Sequence, residues 1–245
     1  MTTVVPPRKN PSRKRVLANY SIGAAAIAAG VAVIALIASL TGGARADAEA
    51  PPATGETVTA QEWADTTFGD FAAETHRGSG DALVAIPEGA CAGILTSRHT
   101  GDGEFSLTMR GEGNQRTGEQ PVMTTGDYQG TTLWGVHNPT PATQVQVIAD
   151  GDWTLTIAPI SGARDLPATG NGGGDQVFLY NGTDRALTAT HEAVGPFTLT
   201  AATEDPLATA TLTTHTGPFT GTTHIGSTPA VIAVTSTGAW SLALH

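Results

Sequence analysis

Two stretches of the chain decide the fold: VQVIADGDWTLTI at residues 145–157 and IAVTSTGAWSLAL at residues 232–244. Each alternates apolar and polar residues, reaches a glycine, and places a tryptophan two residues after it before alternating again. Alternation with period two is typical of a β-strand that has one buried face. Trp153 and Trp240 are in phase with the apolar face, so we expect both to fill a core.

The glycine in each stretch indicates how its two strands are connected. Gly151 follows Asp150, and Gly238 holds the matching place in the second copy. An Asp-Gly pair between two alternating runs favours a tight hairpin, because glycine tolerates a positive φ. The sequence therefore predicts that each stretch is the last hairpin of a module.

Further matches in the same order extend the repeat. GDGEFSLTM at 101–109 returns as AVGPFTLTA at 193–201, which pairs Phe105 with Phe197 as structural core residues. One structural plan used twice is the simplest explanation of a long repeat. We predict an all-β ectodomain of two tandem antiparallel β-sandwich modules, module 1 at 63–160 and module 2 at 173–245, joined by a linker at 161–172.

The N-terminal part of the chain has the pattern of a membrane anchor. Residues 1–20 are basic and are expected in the cytoplasm, and the uncharged apolar run at 21–40 is long enough for a transmembrane helix. Residues 41–62 read as a linker. The alternative is a signal peptide, with 21–40 as its core and cleavage after the A-x-A sequence at 44–46. Both alternatives place the modules outside the cytoplasm.

The charge of the modules excludes one class of partner. After residue 46 the chain has six basic residues, all arginine, against 22 acidic ones, a net charge of −16. Such a chain repels nucleic acid and anionic membrane surfaces. We therefore expect no nucleic-acid partner, and membrane contact only through residues 21–40.

Several motifs together carry a resemblance. PEGACAGILTSRH at 87–99, GDYQGTT at 126–132 and ADGDW at 149–153 resemble segments of uncharacterised membrane-anchored proteins of high-GC Gram-positive bacteria. The resemblance covers about residues 16–245. It implies one N-terminal membrane helix followed by tandem extracellular β-sandwich-like modules, and it implies no catalytic residue.

Motifs that could carry chemistry each have a simpler structural explanation. LPATG at 166–170 matches a sortase signal, but a whole module follows it, so we interpret it as part of the linker. The acidic turn with Asp150 and Asp152 is a weak candidate for calcium, since turn chemistry alone explains it. Cys91 is the sole cysteine and stands among small and apolar residues, which favours a buried thiol.

The motifs indicate a binding function and no enzymatic one. No catalytic constellation, metal motif or cofactor motif is present, so we predict a non-catalytic binding or interaction protein of the cell envelope, single-pass in the cell membrane. The alternative is a carbohydrate or cell-wall binding protein. Trp134 and Tyr128 are the candidate ligand-binding residues, and side-by-side exposure of their rings would favour the alternative. The expected partner is an extracellular protein or a glycan.

Overall fold

The computed structural model describes residues 58–136, 138, 140–204, 209–226 and 229–245. These residues belong to one compact unit, Gly55–His245. The expected cytoplasmic segment 1–20 and membrane helix 21–40 lie outside the described residues. Within the described ranges, no helix is both long and apolar enough to cross a membrane.

The described chain is all-β, as predicted, apart from one α-helix and two short 3₁₀ helices. The helices are α1 (Ala60–Phe68) and the 3₁₀ helices Glu112–Asn114 and Ile160–Gly162. Module 1 contains β1 (Glu74–Ser79), β2 (Ala82–Ala85), β3 (Gly93–Thr100), β4 (Glu104–Arg110), β5 (Val122–Thr125), β6 (Tyr128–Trp134), β7 (Gln144–Ala149) and β8 (Asp152–Ala158). The second half contains β9 (Arg164–Asp165), β10 (Thr169–Gly173), β11 (Gln176–Tyr180), β12 (Arg185–His191), β13 (Pro196–Ala202), β14 (Ala210–Thr216), β15 (Phe219–Ile225), β16 (Ala230–Ser236) and β17 (Ala239–Leu244).

The two modules have the same topology. In module 1 the strands form two antiparallel sheets, in the orders β1-β8-β3-β6 and β2-β7-β4-β5. In module 2 the orders are β10-β17-β12-β15 and β14-β13-β16-β11, with β9 added in parallel beside β11. In each module successive strands lie in opposite sheets except for one hairpin, β4-β5 or β13-β14, and two four-stranded sheets connected in this way form a jelly-roll sandwich. The repeat read from the sequence is therefore a repeat of whole jelly rolls.

Each module encloses its own hydrophobic core. In module 1, Leu107 and Val145 from one sheet meet Leu95 and Leu155 from the other, and all four side chains are fully buried. Module 2 repeats this arrangement with Leu199 among its fully buried residues. Period-two alternation places these residues on the inner faces, and the polar residues between them face outward.

The predicted hairpins at Gly151 and Gly238 are wrong. Strand β7 pairs with β2 and β4, whereas β8 pairs with β1 and β3, so the turn between β7 and β8 crosses from one sheet to the other. Gly151 does not have a positive φ. Glycine is needed at position 151 for lack of space, because a Cβ there would lie 2.0 Å from the carbonyl oxygen of Thr100. At Gly238 a Cβ would lie 2.3 Å from Cβ of Ala193.

The expected linker at 161–172 is folded. It contains the end of a 3₁₀ helix, strand β9 and the start of β10, so the strands of module 2 begin before residue 173. Leu166 is buried in the core of module 2, and its N–H donates to the carbonyl of Leu179. The sequence LPATG is thus part of a strand ladder, with Gly170 paired opposite Leu242.

Helix α1 occupies a region that the sequence left open between helix and strand, and it includes the end of the expected linker at 41–62. Thr59 accepts a hydrogen bond from the N–H of Glu62, and Glu62 accepts one from the N–H of Thr59, a capping box that fixes the start of the helix. Trp63 and Ala64 are buried beneath the helix. They join a third hydrophobic cluster, which we call the junction core.

The junction core connects the helix to both modules. Its buried members are Ala60, Trp63, Ala64, Ala92, Ile94, Val136, Ile160, Ala163, Val177, Leu179, Ala202 and Val231. Because these residues come from α1, from module 1 and from the outer face of one sheet of module 2, the two modules share buried apolar surface. They are therefore packed together rather than separated by a flexible spacer.

Candidate functional site

The repeated tryptophans fill the cores, as predicted. Trp153 is 6% exposed and Trp240 is 3% exposed. Each indole N–H donates a 2.8 Å hydrogen bond to a backbone carbonyl, that of Gly80 or that of Gly174. Both rings therefore have a structural role in the cores.

The repeated phenylalanines are also core residues, as predicted, and each packs against a buried histidine. Phe105 and His99 stack with ring centroids 4.7 Å apart, and Phe197 lies 5.3 Å from His191. In both histidines Nδ1 donates to a backbone carbonyl, at 2.9 and 3.1 Å. The matching bonds assign these histidines to the fold.

Trp134 and Tyr128 do not form an exposed aromatic surface. Trp134 is 1% exposed, because it faces inward on β6 and belongs to the core of module 1. Tyr128 begins the same strand six residues earlier, about 20 Å away at the usual rise of a strand. Its hydroxyl donates a 2.7 Å hydrogen bond to the Asp175 carboxylate of module 2. The two rings are therefore not exposed side by side, and Trp134 and Tyr128 do not form the candidate ligand-binding surface.

The acidic turn expected as a weak calcium candidate is used for other contacts. Oδ2 of Asp150 accepts the N–H groups of Asp102 and Gly103, at 3.1 and 2.6 Å. Oδ1 of Asp150 lies 3.1 Å from Nε2 of the buried His99, at ion-pair distance but outside hydrogen-bond alignment. Asp152 lies on the outer face of the sheet, where it lines the concavity described next. No cluster of three or more potential metal ligands occurs in the described part of the chain.

A concavity of about 400 Å³ lies on the outer face of the sheet β1-β8-β3-β6. Its lining consists of Arg77, Gly78, Arg98, Thr100, Asp152, Trp153 and Thr154. Arg77 on β1 and Arg98 on β3 are both in register with Thr154 on β8, so the two arginines flank one threonine. We call this site the arginine concavity.

The same face is apolar at its other end. Along β3 the outward residues run from buried Ile94 through Thr96 and Arg98 to Thr100, and the last three are exposed. Ile94 belongs to the junction core, which covers that end of the sheet. The polar end, with the arginine concavity, remains open to solvent.

Module 2 lacks the arginines. The register that places Gly78 and His99 opposite Trp153 also places Gly172 and His191 opposite Trp240. Arg77 and Arg98 therefore correspond to Asn171 and Thr190, and Asp152 and Thr154 correspond to Ala239 and Ser241. The fold retains its glycine, histidine and tryptophan in both copies, whereas the outward residues differ.

Sequence reasoning missed Arg77 and Arg98. A signal was present, because the repeat aligns HRGSG at 76–80 with GNGGG at 170–174 and so sets an arginine against an asparagine. What was missing was the strand order. Only the pairing of β8 between β1 and β3 brings two residues 21 positions apart to the same site.

A smaller cleft of about 270 Å³ lies at the junction of the modules. Thr131 and Leu133 of β6 form one wall, and Thr200 and Thr235 of module 2 contribute to the other. Glu119 also lines this cleft, and its carboxylate accepts the N–H of Gly135 at 3.1 Å. Most of the other lining residues are apolar, among them Pro121 and Val136, and the one carboxylate is already engaged.

Cys91 is exposed, so the expectation of a buried thiol is wrong. It lies in the loop that leads into β3, where its Sγ is 3.7 Å from the carbonyl oxygen of Gly89. The next residue, Ala92, is buried in the junction core, whereas Cys91 itself faces outward. The thiol is therefore accessible to reagents in solution.

Comparisons with known proteins add no functional assignment. No protein-family model matches the chain, and no curated protein matches it. Similar solved structures include a regulatory subunit of a cAMP-independent protein kinase A from Trypanosoma cruzi bound to guanosine (12% identity, 71% of this chain and 72% of that chain, TM-score 0.21). Another is HutD from Pseudomonas fluorescens (12% identity, 71% of this chain and 78% of that chain, TM-score 0.19). At these TM-scores the likeness supports no inference.

Proposed function

We propose that the chain is a non-catalytic binding protein of the cell envelope, with residues 21–40 in the membrane and both modules outside the cytoplasm. The observation that carries the binding role is the arginine concavity, which module 1 has and module 2 lacks. Residues that only maintain the jelly roll recur in both modules. Arg77 and Arg98 do not recur, so the fold alone does not account for them.

The alternative is a carbohydrate or cell-wall binding protein. Proteins that bind sugars by stacking need exposed aromatic rings, but all four tryptophans of the chain are buried. The polar lining of the arginine concavity favours a different kind of carbohydrate recognition, through charge and hydrogen bonds. This observation keeps the alternative as a second candidate.

Binding is tested by sedimenting the full chain, solubilised in neutral detergent, with isolated cell walls. We expect the wild type to sediment with the walls, and the double variant Arg77→Asn with Arg98→Thr to remain in solution. The new residues are those that module 2 uses at the same positions, so the fold should tolerate them. Equal sedimentation of wild type and variant would contradict a binding role for this face.

The location is tested through Cys91, the single cysteine of the chain and an exposed one. We expect a membrane-impermeant maleimide to label intact cells that carry the wild type, and a Cys91→Ser variant to stay unlabelled. Labelling only after the cells are permeabilised would place module 1 inside the cell. The mass of the labelled protein also distinguishes the anchor from the signal peptide, since cleavage after Ala46 leaves Asp47 as the first residue.

A further inference from the structure

We propose that the arginine concavity binds the carboxylate of a sugar acid of the uronic-acid type. This inference rests on the proposed binding function and names the chemical class of its ligand. Four features of the site carry it: the free arginines, their spacing, the oxygen-rich lining and the contrast with module 2.

Arg77 and Arg98 form no ion pair with any described carboxylate, and this includes Asp152 in the same concavity. Among the residues that the structure describes, no arginine forms an ion pair with a carboxylate. Arg110 and Arg164 instead hydrogen-bond to glutamine side chains. Arg77 and Arg98 are exposed on the sheet face, with no such contact. A guanidinium group offers paired donors that match a carboxylate, and it stays protonated at any physiological pH.

The spacing suits one small anion. Neighbouring strands lie about 4.8 Å apart, so the Cα atoms of Arg77 and Arg98, on either side of β8, are separated by about 10 Å. Two long side chains can reach across this distance from opposite sides to a group above Thr154. The net charge of −16 after residue 46 disfavours a polyanion, whose many charges the chain would repel. A ligand with a single carboxylate is repelled less.

The remaining lining residues suit hydroxyl groups. Asp152 provides carboxylate acceptors, and Thr100 and Thr154 provide hydroxyls that both donate and accept. None of the described lining residues has an aliphatic side chain, and the Trp153 ring is held in the core by its bond to Gly80. The site therefore lacks the aliphatic wall that suits a fatty acid, whereas a sugar acid presents both a carboxylate and a set of hydroxyls.

The test measures binding of D-glucuronate to the full chain in neutral detergent by titration calorimetry, with D-glucose as the matched neutral ligand. We expect glucuronate to bind at least about tenfold more tightly than glucose, because a charge-assisted pair with arginine is lost in glucose. The Arg77→Asn, Arg98→Thr variant should lose at least about tenfold in glucuronate affinity. A control variant, Arg116→Asn with Arg185→Thr, has the same net charge as the Arg77→Asn, Arg98→Thr variant. We expect it to bind glucuronate as tightly as the wild type does.

Three results would overturn the proposal: equal affinity for glucuronate and glucose, an equal loss in both double variants, or tighter binding of glucose 6-phosphate, which would indicate a phosphate site. Melting curves of both variants establish that each is folded. If the wild type sediments with cell walls through Arg77 and Arg98 but does not bind glucuronate, the binding function stands and the sugar-acid ligand is wrong. If the wild type also fails to sediment with walls, the proposed function fails as well.

Discussion

At the scale of single residues, the two modules distinguish what the fold requires from what it leaves free. Gly78 and Gly172 lie opposite Trp153 and Trp240, and a Cβ at either glycine would come within 2.5 Å of the indole ring. The glycine and the tryptophan therefore depend on each other. No such requirement applies to the neighbouring outward positions, where Arg77 faces solvent.

Gly151 allows a direct test of a steric requirement. In a Gly151→Ala variant the new Cβ would meet the carbonyl oxygen of Thr100, so the backbone must shift. We expect a loss of about 1–3 kcal/mol in the free energy of unfolding, the usual effect of overpacking. Urea denaturation followed by tryptophan fluorescence measures it.

Gly173→Ala is the matched control, because nothing lies within 4 Å of the corresponding Cβ and the φ of Gly173 is not positive. We expect its free energy of unfolding to stay within about 0.5 kcal/mol of the wild type. Equal stability of the two variants would show that the turn at Gly151 relaxes freely.

At the scale of elements, the sequence predicted which face of a strand is buried but not which strand lies beside it. Alternation placed Trp153, Leu155 and Ile157 correctly on an inner face. The same pattern fits a hairpin and a crossover between sheets, since both bury one face of each strand. Which strands pair depends on contacts between residues far apart in sequence. A local pattern such as ADGDW therefore does not predict the pairing.

Helix α1 shows a similar limit. A capping box at Thr59 and Glu62 was present in the sequence, but the apolar residues Trp63, Phe68 and Phe71 are compatible with either a helix or a strand. What decides the outcome is the junction core, where Trp63 packs among residues of both modules. Tertiary burial of this kind determines most short helices, which are marginal by themselves.

The contribution of α1 is tested by Trp63→Ala. The Trp63 side chain is 8% exposed and contacts Phe68 edge-on, with ring centroids 5.5 Å apart. We expect a loss of about 3–5 kcal/mol in the free energy of unfolding, as for other buried aromatics. The control is Val58→Ala, a residue 55% exposed just before the helix, which should change stability by less than about 0.5 kcal/mol. Similar small losses in both variants would mean that α1 is dispensable.

At the scale of the whole molecule, the packing of the two modules against each other is the feature that could not be predicted from the sequence. The glycine- and proline-containing stretch at 161–172 read as a linker, yet it includes strands of module 2. Its apolar contacts are with residues remote in sequence, such as Val177 and Leu179, so no local composition could reveal them. The repeat itself was visible because each module carries the same inward residues.

A polar contact accompanies the junction core. Asp175 is 8% exposed, accepts the Tyr128 hydroxyl at 2.7 Å and accepts the Ser236 N–H at 2.9 Å. Burial raises the pKa of the Asp175 carboxyl above its ordinary value of 3.8, although the two hydrogen bonds oppose the rise. The pKa of Tyr128 is also raised, by burial and by the nearby carboxylate, so its hydroxyl stays protonated as a donor.

This contact predicts a pH dependence with a definite sign. Because the pKa of Asp175 is higher in the folded state than in the unfolded state, protonation of this group favours folding. Its stabilising contribution is complete below the unfolded value and is lost as pH rises through the raised folded value.

In Asp175→Asn the amide is neutral throughout, accepts the Ser236 N–H and donates to the Tyr128 oxygen. We expect the stability of this variant relative to wild type to increase as pH rises from 3.8 through the folded pKa. The measurement is urea denaturation across that range, with the exposed Asp102→Asn as control, and a pH-independent difference for both variants would mean that the Asp175 carboxylate remains solvated at the junction.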